Sequence, residues 1–307
     1  MSAIRIGIVG LGKIARDQHL PAIGANPRFE LAATVERSAP VTAINFPSYE
    51  AMLSGANRLD AVAIATPPGP RYAIARDSIE AGLHVLLEKP PTVSLAEIVD
   101  LRDRSAAAGV TLFTTWHAQH NHAVGAAAEL LRGHRISDMT ITWHEDVDKW
   151  HPGQRWIWEP GGFGVFDPGI NAFSIASIIF PGPLFVREAT LCFPATAHTP
   201  IAVDIRFASP AATGELRCSL DWRRDAGEEW SIAIRTEKGL TVSLLDGGAR
   251  LLVDGVEQEA PGNGEYADIY RRFAELIDSS RSHVDPVPLR MVADCLLVGA
   301  RHVLPQA

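Results

Sequence analysis

Cysteine is scarce in this sequence. Cys192, Cys218 and Cys295 are odd in number, widely spaced and set among apolar neighbours. They argue against a disulfide framework or a thiolate metal site, and read as buried thiols in a reducing compartment. Basic runs are missing too, and the net charge is −8, which argues against non-specific nucleic-acid binding. No uninterrupted apolar stretch approaches the roughly 20 residues of a membrane span. The first residues, Met1-Ser2-Ala3-Ile4-Arg5-Ile6, enter a strand pattern at once and leave no room for a signal peptide. A cytoplasmic protein without a membrane or nucleic-acid partner is expected, and without a structural metal. Internal repeats and low-complexity segments are also lacking. What remains is 47% apolar and 21% charged, the composition of a soluble globular protein, in 307 residues that suit two domains.

Residues 1–120 alternate strand and helix signals. Strands are expected at Ile4–Val9, Leu31–Val35, Leu59–Ala65, His84–Leu87 and Thr111–Thr115. Helices are expected from Lys13, over Arg71–Ala81, and over Leu95–Ala107 with Ser94 as N-cap and Gly109 past the end. Such βαβ alternation implies a parallel sheet covered on both faces. From about residue 137 the apolar period becomes two, with strands at Met139–Trp143, Glu188–Phe193, Ala202–Phe207, Glu215–Trp222, Trp230–Thr236 and Leu240–Leu244. Helices are expected near Gly169–Ile179, Tyr266–Ser279 and Leu289–Val303. The fold class is therefore α/β: a Rossmann domain over residues 1–120, then an α+β domain over 121–307 with an open, mainly antiparallel sheet. The last helix can pack back on the first domain.

Gly10-Leu11-Gly12-Lys13-Ile14-Ala15 fits G-x-G-x-x-A directly after a strand and opening a helix. Gly10 permits the tight turn, Gly12 admits a pyrophosphate, and Ala15 allows close helix–strand packing. The N–H groups at Lys13 and Ile14 begin a helix whose dipole favours phosphate. A dinucleotide is the implied cofactor. Glu36 stands where a carboxylate would accept the adenosine ribose hydroxyls, which favours NAD; Arg37 beside it can hold a 2′-phosphate, which favours NADP, or simply lie solvated. NAD with some NADP tolerance is expected. Thr66, Pro67 and Pro68, in a proline-dense turn after the third clear strand, are expected to form a rigid shelf under the nicotinamide ribose.

Glu88-Lys89-Pro90-Pro91 closes the next strand. Proline cannot extend a ladder, so the strand ends with an ammonium at its mouth. Ligands of open α/β sheets bind at carboxyl strand ends. Glu88 and Lys89 are therefore candidate cofactor-side residues, and Lys89 a candidate catalytic one.

Together with Ala65-Thr66-Pro67-Pro68, Gly161-Gly162 and Asp167-Pro168-Gly169-Ile170-Asn171, these motifs resemble the Gfo/Idh/MocA family of dehydrogenases along essentially the whole chain. Within it, Trp116-His117, Trp150-His151-Pro152-Gly153-Gln154 and Trp156-Ile157-Trp158 are similar to bacterial aldose 1-dehydrogenases acting on L-arabinose and D-galactose. The resemblance implies NAD(P)-dependent oxidation of a free sugar at its anomeric carbon to an aldonolactone. Many family members carry a histidine four residues after the aspartate, often as proton acceptor. Here the position is Asn171, and an amide cannot be a general base.

Asp167 and Asn171 are spaced i, i+4 and share a helix face. Asp167 is the first choice for general base, kept ionised by Lys89; the plainer role is an N-cap. His151 can bond a sugar hydroxyl or share the proton. His117, Glu145, Trp150 and Trp230 complete the candidate sugar contacts, whereas Trp222 is expected in the sheet core. A homodimer is expected from the open sheet. Two alternatives stay open: a related dehydrogenase acting on another polyol or sugar, and a non-catalytic NAD(P)-binding regulator.

Overall fold

The computed structural model describes residues 2–36, 44–55, 58–223, 228–262 and 264–305. They form two compact units, Met1–His117 with Glu265–Pro286, and Ala118–Gly264 with Val287–Ala307.

In the first unit, β1 (Ile4–Val9), β2 (Phe29–Val35), β3 (Asn45–Phe46), β4 (Ala61–Ile64), β5 (His84–Leu87) and β6 (Leu112–Thr114) form a sheet in the order β3-β2-β1-β4-β5-β6. Every pairing in it is parallel. That order reverses between β1 and β4, which opens a crevice at the carboxyl ends of those strands. Covered on both faces, β4 is apolar at every position, and its four residues are all buried. The chain re-enters this unit late. Helix Glu265–Asp278 places Tyr266, Ile269, Tyr270 and Phe273 at i, i+3, i+4 and i+7, and buries them with Ile6, Ile8, Leu86 and Phe113. The returning helix is thus this one, and not the last helix of the chain.

Local rules set the element ends. Ser94 and Glu97 form a reciprocal capping box, and Gly109 ends that helix with φ +67°. The helix expected from Arg71 begins at Pro68, where a missing N–H costs nothing. Among the described residues no helix is long and apolar enough to cross a membrane.

The second unit is built on β7 (Ile136–His144), β8 (Phe185–Pro194), β9 (Ala202–Ala208), β10 (Leu216–Asp221), β11 (Glu229–Thr236), β12 (Thr241–Leu245), β13 (Arg250–Val253), β14 (Val256–Gln258) and β15 (Ala300–Leu304). Their order is β14-β13-β12-β11-β7-β10-β9-β8-β15. The β7–β10 and β8–β15 pairs are parallel and the rest antiparallel. Along β7 the period of two is plain: Met139, Ile141 and Trp143 alternate inward and are buried. Helix Phe166–Ile179 covers that face and is buried along most of its length. Gly169 makes the contact possible, because a Cβ there would lie 2.5 Å from Leu220 Cδ1. The helix expected over Leu289–Val303 stops at Val298, and Ala300–Leu304 pairs with β8 instead. Strand pairing overrides the helical pattern there, and Leu297 and Val303 stay exposed.

Cys218 and Cys295 are buried, and burial pushes both thiols up, so they are poor nucleophiles. Cys192 is only half-buried. No group of three His, Cys, Asp or Glu side chains among the described residues could hold a metal ion.

Candidate active site

In the first unit the candidate residues gather at the carboxyl ends of β1, β2, β4 and β5. Gly10 has φ +92°, and a Cβ on it would lie 2.8 Å from Thr66 N. The glycine loop therefore presses on the turn after β4, as only glycine permits. At Gly12 a Cβ would meet nothing within 4 Å, which leaves open space beside the backbone. Thr66 Oγ1 is buried and has no hydrogen-bond partner. An open approach to a helix N-terminus and an orphaned hydroxyl beside it fit a dinucleotide. Gly10, Gly12 and the N–H groups at Lys13 and Ile14 would hold its phosphates. Neither side chain at the last two positions is committed to the fold: Lys13 pairs with Asp17 on the surface, and Ile14 is exposed. Glu36 follows β2, and its carbonyl accepts from Asn45 Nδ2 at 2.9 Å. Arg37 lies outside the described residues. Pro67 caps the helix that Pro68 opens, so the expected shelf is shorter than a free loop.

Glu88 requires a correction. Its carboxylate, expected on the cofactor side, turns inward and is 2% exposed. His19 Nε2 lies 3.1 Å from Oε1, the Tyr266 hydroxyl donates to Oε1 at 2.8 Å, and the Lys89 N–H donates to Oε2 at 3.0 Å. Tyr270 Oη sits 2.7 Å from His19 Nδ1 and completes the chain. A buried carboxylate needs such donors. Burial works to raise the Glu88 pKa, but the hydrogen bond and charge of His19, with the charges of His117 and Arg71, override it and hold the carboxyl well below its ordinary range. Burial, together with the Glu88 charge, pushes the Tyr266 and Tyr270 hydroxyls far up, so both remain protonated.

Arg71 belongs to this corner, although nothing in its helical spacing marked it. It is 4% exposed. Its Nε donates to the Thr66 carbonyl at 2.7 Å, and its Nη1 to the carbonyls of Glu88 and Pro90. The guanidinium straps the β4 and β5 turns together around Lys89, and the Lys89–Pro90 peptide is cis. His117 ends this set: its Nδ1 is 3.0 Å from Glu265 Oε2, and its ring stacks on Tyr266.

The second unit brings together most of the remaining candidates. Asp167 is 5% exposed and lies in the first turn of Phe166–Ile179, whose N-cap is Val165, so Asp167 is not the cap. Asn171, one turn on, has a buried Oδ1 with no hydrogen-bond partner. His151 Nε2 stands 3.6 Å from Asp167 Oδ2. Its ring packs against Trp222, with centroids 5.0 Å apart, and Trp158 meets Trp222 edge-on.

Glu145, 5% exposed at the end of β7, receives Trp222 Nε1 on Oε1 at 2.9 Å and Trp230 Nε1 on Oε2 at 3.0 Å. It holds two indoles in place before it can serve any ligand. Trp222 is buried, as expected, but it is also the surface on which His151 rests. Trp150 is 44% exposed and meets Trp230 edge-on; its indole donates to Glu228, which also pairs with Lys149 at 2.8 Å. An exposed and a half-buried indole, Trp150 and Trp230, beside buried carboxylates suit a ligand with apolar C–H faces and several hydroxyls.

The sequence profile of the oxidoreductase family with an NAD-binding Rossmann fold matches residues 4–116. The galactose 1-dehydrogenase of Pseudomonas fluorescens is 43% identical over 302 residues, covering 98% of this chain and 97% of that one. The crystal structure of a D-galactose-1-dehydrogenase from Rhizobium etli superposes with a TM-score of 0.94 at 43% identity, covering 100% of this chain and 98% of that one. A point mutant of a 3-ketoreductase from Actinomadura kijaniata, solved with TDP-benzene and NADP, has a TM-score of 0.82 at 18% identity over 99% of this chain and 100% of that one, a likeness of fold.

Proposed function

Because the chain belongs to the Gfo/Idh/MocA oxidoreductase family, we propose that it is an NAD(P)-dependent aldose 1-dehydrogenase, oxidising the anomeric carbon of a free sugar to the aldonolactone. D-galactose is the first substrate to assign, and L-arabinose the second, since the two share configuration at ring carbons 2 to 4. The observation that carries the proposal is identity of 43% along nearly the whole length of a galactose 1-dehydrogenase. A match confined to the first unit would support dinucleotide binding alone.

When bound, the oxidised nicotinamide accepts hydride from the anomeric C–H. The chain's own residues do the rest. Gly10, Gly12, Lys13 and Ile14 hold the phosphates through the backbone, and Glu36 binds the adenosine ribose, which favours NAD over NADP. Lys89, positioned by the Arg71 strap and the buried Glu88, donates to the reacting hydroxyl and favours the developing charge on its oxygen. Asp167 stands on the proton-accepting side of the reacting hydroxyl. Asn171 supplies an amide to the same oxygen or its neighbour. Trp150 and Trp230 present apolar faces to the ring and exclude water, while His117, Glu145 and His151 serve its hydroxyls.

The test follows reduced nicotinamide by absorbance over a panel of free aldoses, polyols and nucleotide sugars, with NAD and NADP in parallel. Turnover of D-galactose with NAD, and a lactone product, is the expected result. Turnover of polyols or nucleotide sugars alone would replace the substrate assignment. Cofactor binding without any turnover would favour a regulator.

A further inference from the structure

The proton acceptor poses a specific question, because Asn171 can only donate or accept a hydrogen bond where a titrating group would be useful. The structure brings an imidazole to Asp167 from a different segment, the turn that follows helix Val147–Trp150. The 3.6 Å between His151 Nε2 and Asp167 Oδ2 is ion-pair range, yet too long for a direct hydrogen bond. Two acceptors at that separation can both reach one hydroxyl.

Which nitrogen carries the proton follows from the neighbours. Trp156 Nε1, an obligate donor, lies 3.1 Å from Gln154 Oε1. That contact fixes which end of the Gln154 amide is oxygen. The same Oε1 lies 3.4 Å from His151 Nδ1. An oxygen there accepts, which favours the hydrogen on Nδ1, and a neutral ring in that tautomer leaves Nε2 unprotonated. Nε2 is the atom turned toward Asp167. The indole thus sets the amide, the amide sets the tautomer, and the tautomer places a lone pair beside the carboxylate.

We propose that His151 and Asp167 act as one proton-accepting pair on the reacting hydroxyl, with Gln154 as the positioning residue that holds the imidazole in its Nδ1–H tautomer. The proposal rests on the sugar-oxidation function above. In the step, the C1–H electron pair leaves as hydride to the oxidised nicotinamide. The O–H bond breaks, its electrons form the lactone carbonyl, and its proton passes to the pair. Asp167 meets the hydroxyl and holds the imidazolium that results, so the pair passes from a net negative charge to neutrality as it takes the proton.

The charged groups around the ring fit this role. Asp167 faces it from helix Phe166–Ile179. Behind Trp222 stands Glu145, already engaged by two indoles. Asp221 and Arg223, which flank Trp222, are closed on each other. Lys149, in the helix that His151 follows, pairs with Glu228.

The test has two arms. The first uses the protein without substrate: imidazole ¹⁵N–¹H correlation spectra over a pH series, with His151→Asn to assign the signal. The expected result is the Nδ1–H tautomer for His151 in the parent. Gln154→Glu keeps that tautomer and raises the titration midpoint, because an added carboxylate favours the imidazolium. Gln154→Leu mixes the tautomers, and Asp167→Asn lowers the midpoint. An Nε2–H tautomer in the parent, or a midpoint unmoved by Asp167→Asn, overturns the pair.

The second arm measures the pH dependence of kcat/KM for the aldose. His151→Asn should lower kcat by about a hundredfold and move the acidic limb to lower pH, because the imidazole is lost from the pair. An unchanged acidic limb with kcat within about twofold would overturn the role of His151. If no aldose is turned over, the function fails by itself, while the first arm still accepts or refutes the pair.

Discussion

The two units prepare their ligand-facing groups by opposite means. In the first, main-chain geometry does the positioning. Gly10 lies against Thr66, Arg71 spends its donors on three carbonyls, and the buried Glu88 carboxylate is surrounded by donors. In the second, side chains position one another: Glu145 holds Trp222 and Trp230, Trp222 supports His151, and Gln154 orients it. The difference suits the two ligands. A dinucleotide presents the same phosphates and riboses to any fold, and backbone N–H groups recognise those well. A sugar is defined by the direction of each hydroxyl, which only side chains can read.

The comparison can be broken most severely at Asp167. Asp167→Asn should lower turnover by about a thousandfold, within the range for loss of an acid–base group. Cofactor affinity, measured by quenching of protein fluorescence, should stay within about threefold, since the residue belongs to the sugar side. Equal losses in both would assign Asp167 to structure. Lys89→Met comes next, with a fall of about a hundredfold in kcat for one lost donor to a developing oxyanion. A change confined to KM for the sugar would make Lys89 a binding group instead.

The buried network of the first unit sharpens the contrast through stability. Tyr266→Phe removes one donor from Glu88 and should cost about 1–3 kcal/mol in urea unfolding. Its effect depends on pH with a definite sign. The Glu88 carboxyl is depressed in the folded chain, so its contribution is complete above the unfolded value of about 4.3 and is lost as pH falls toward the folded value. The parent should therefore lose stability steadily below about pH 4. Glu88→Gln should be less stable at neutral pH and show a shallower acid slope; an identical slope would remove Glu88 from the account. The smallest effect is expected at Glu36: Glu36→Gln should narrow the preference for NAD over NADP by about tenfold, the loss of one charge-assisted hydrogen bond. A preference for NADP already present in the parent would contradict the role given to Glu36.

The same contrast explains what the residue order made legible. Strand-end glycines, prolines and the Glu88-Lys89-Pro90 turn are local signals, and the first sheet and its crevice follow from them. Arg71 and Glu88 show the limit even there. An arginine at a helical position carries no mark of the three carbonyls it meets, and Glu88 turned inward because His19 and Tyr266, 69 and 178 residues away, supply its donors. In the second unit Asp167, Asn171 and His151 stood out as chemistry-bearing types. The bond from Trp222 to Glu145 spans 77 residues and could not be inferred from spacing. The edge strand Ala300–Leu304 was hidden for a related reason, since its pairing with β8 overrides the helical pattern of its own residues.

The central claim, oxidation of a free sugar at its anomeric carbon, is tested most directly by incubating the protein with D-galactose and NAD and quantifying both products before the lactone hydrolyses. The account predicts galactonolactone and reduced nicotinamide in equal amounts, with both falling together by about a thousandfold in Asp167→Asn. Reduced nicotinamide accompanied by a ketosugar, or no product from any free aldose, would contradict it.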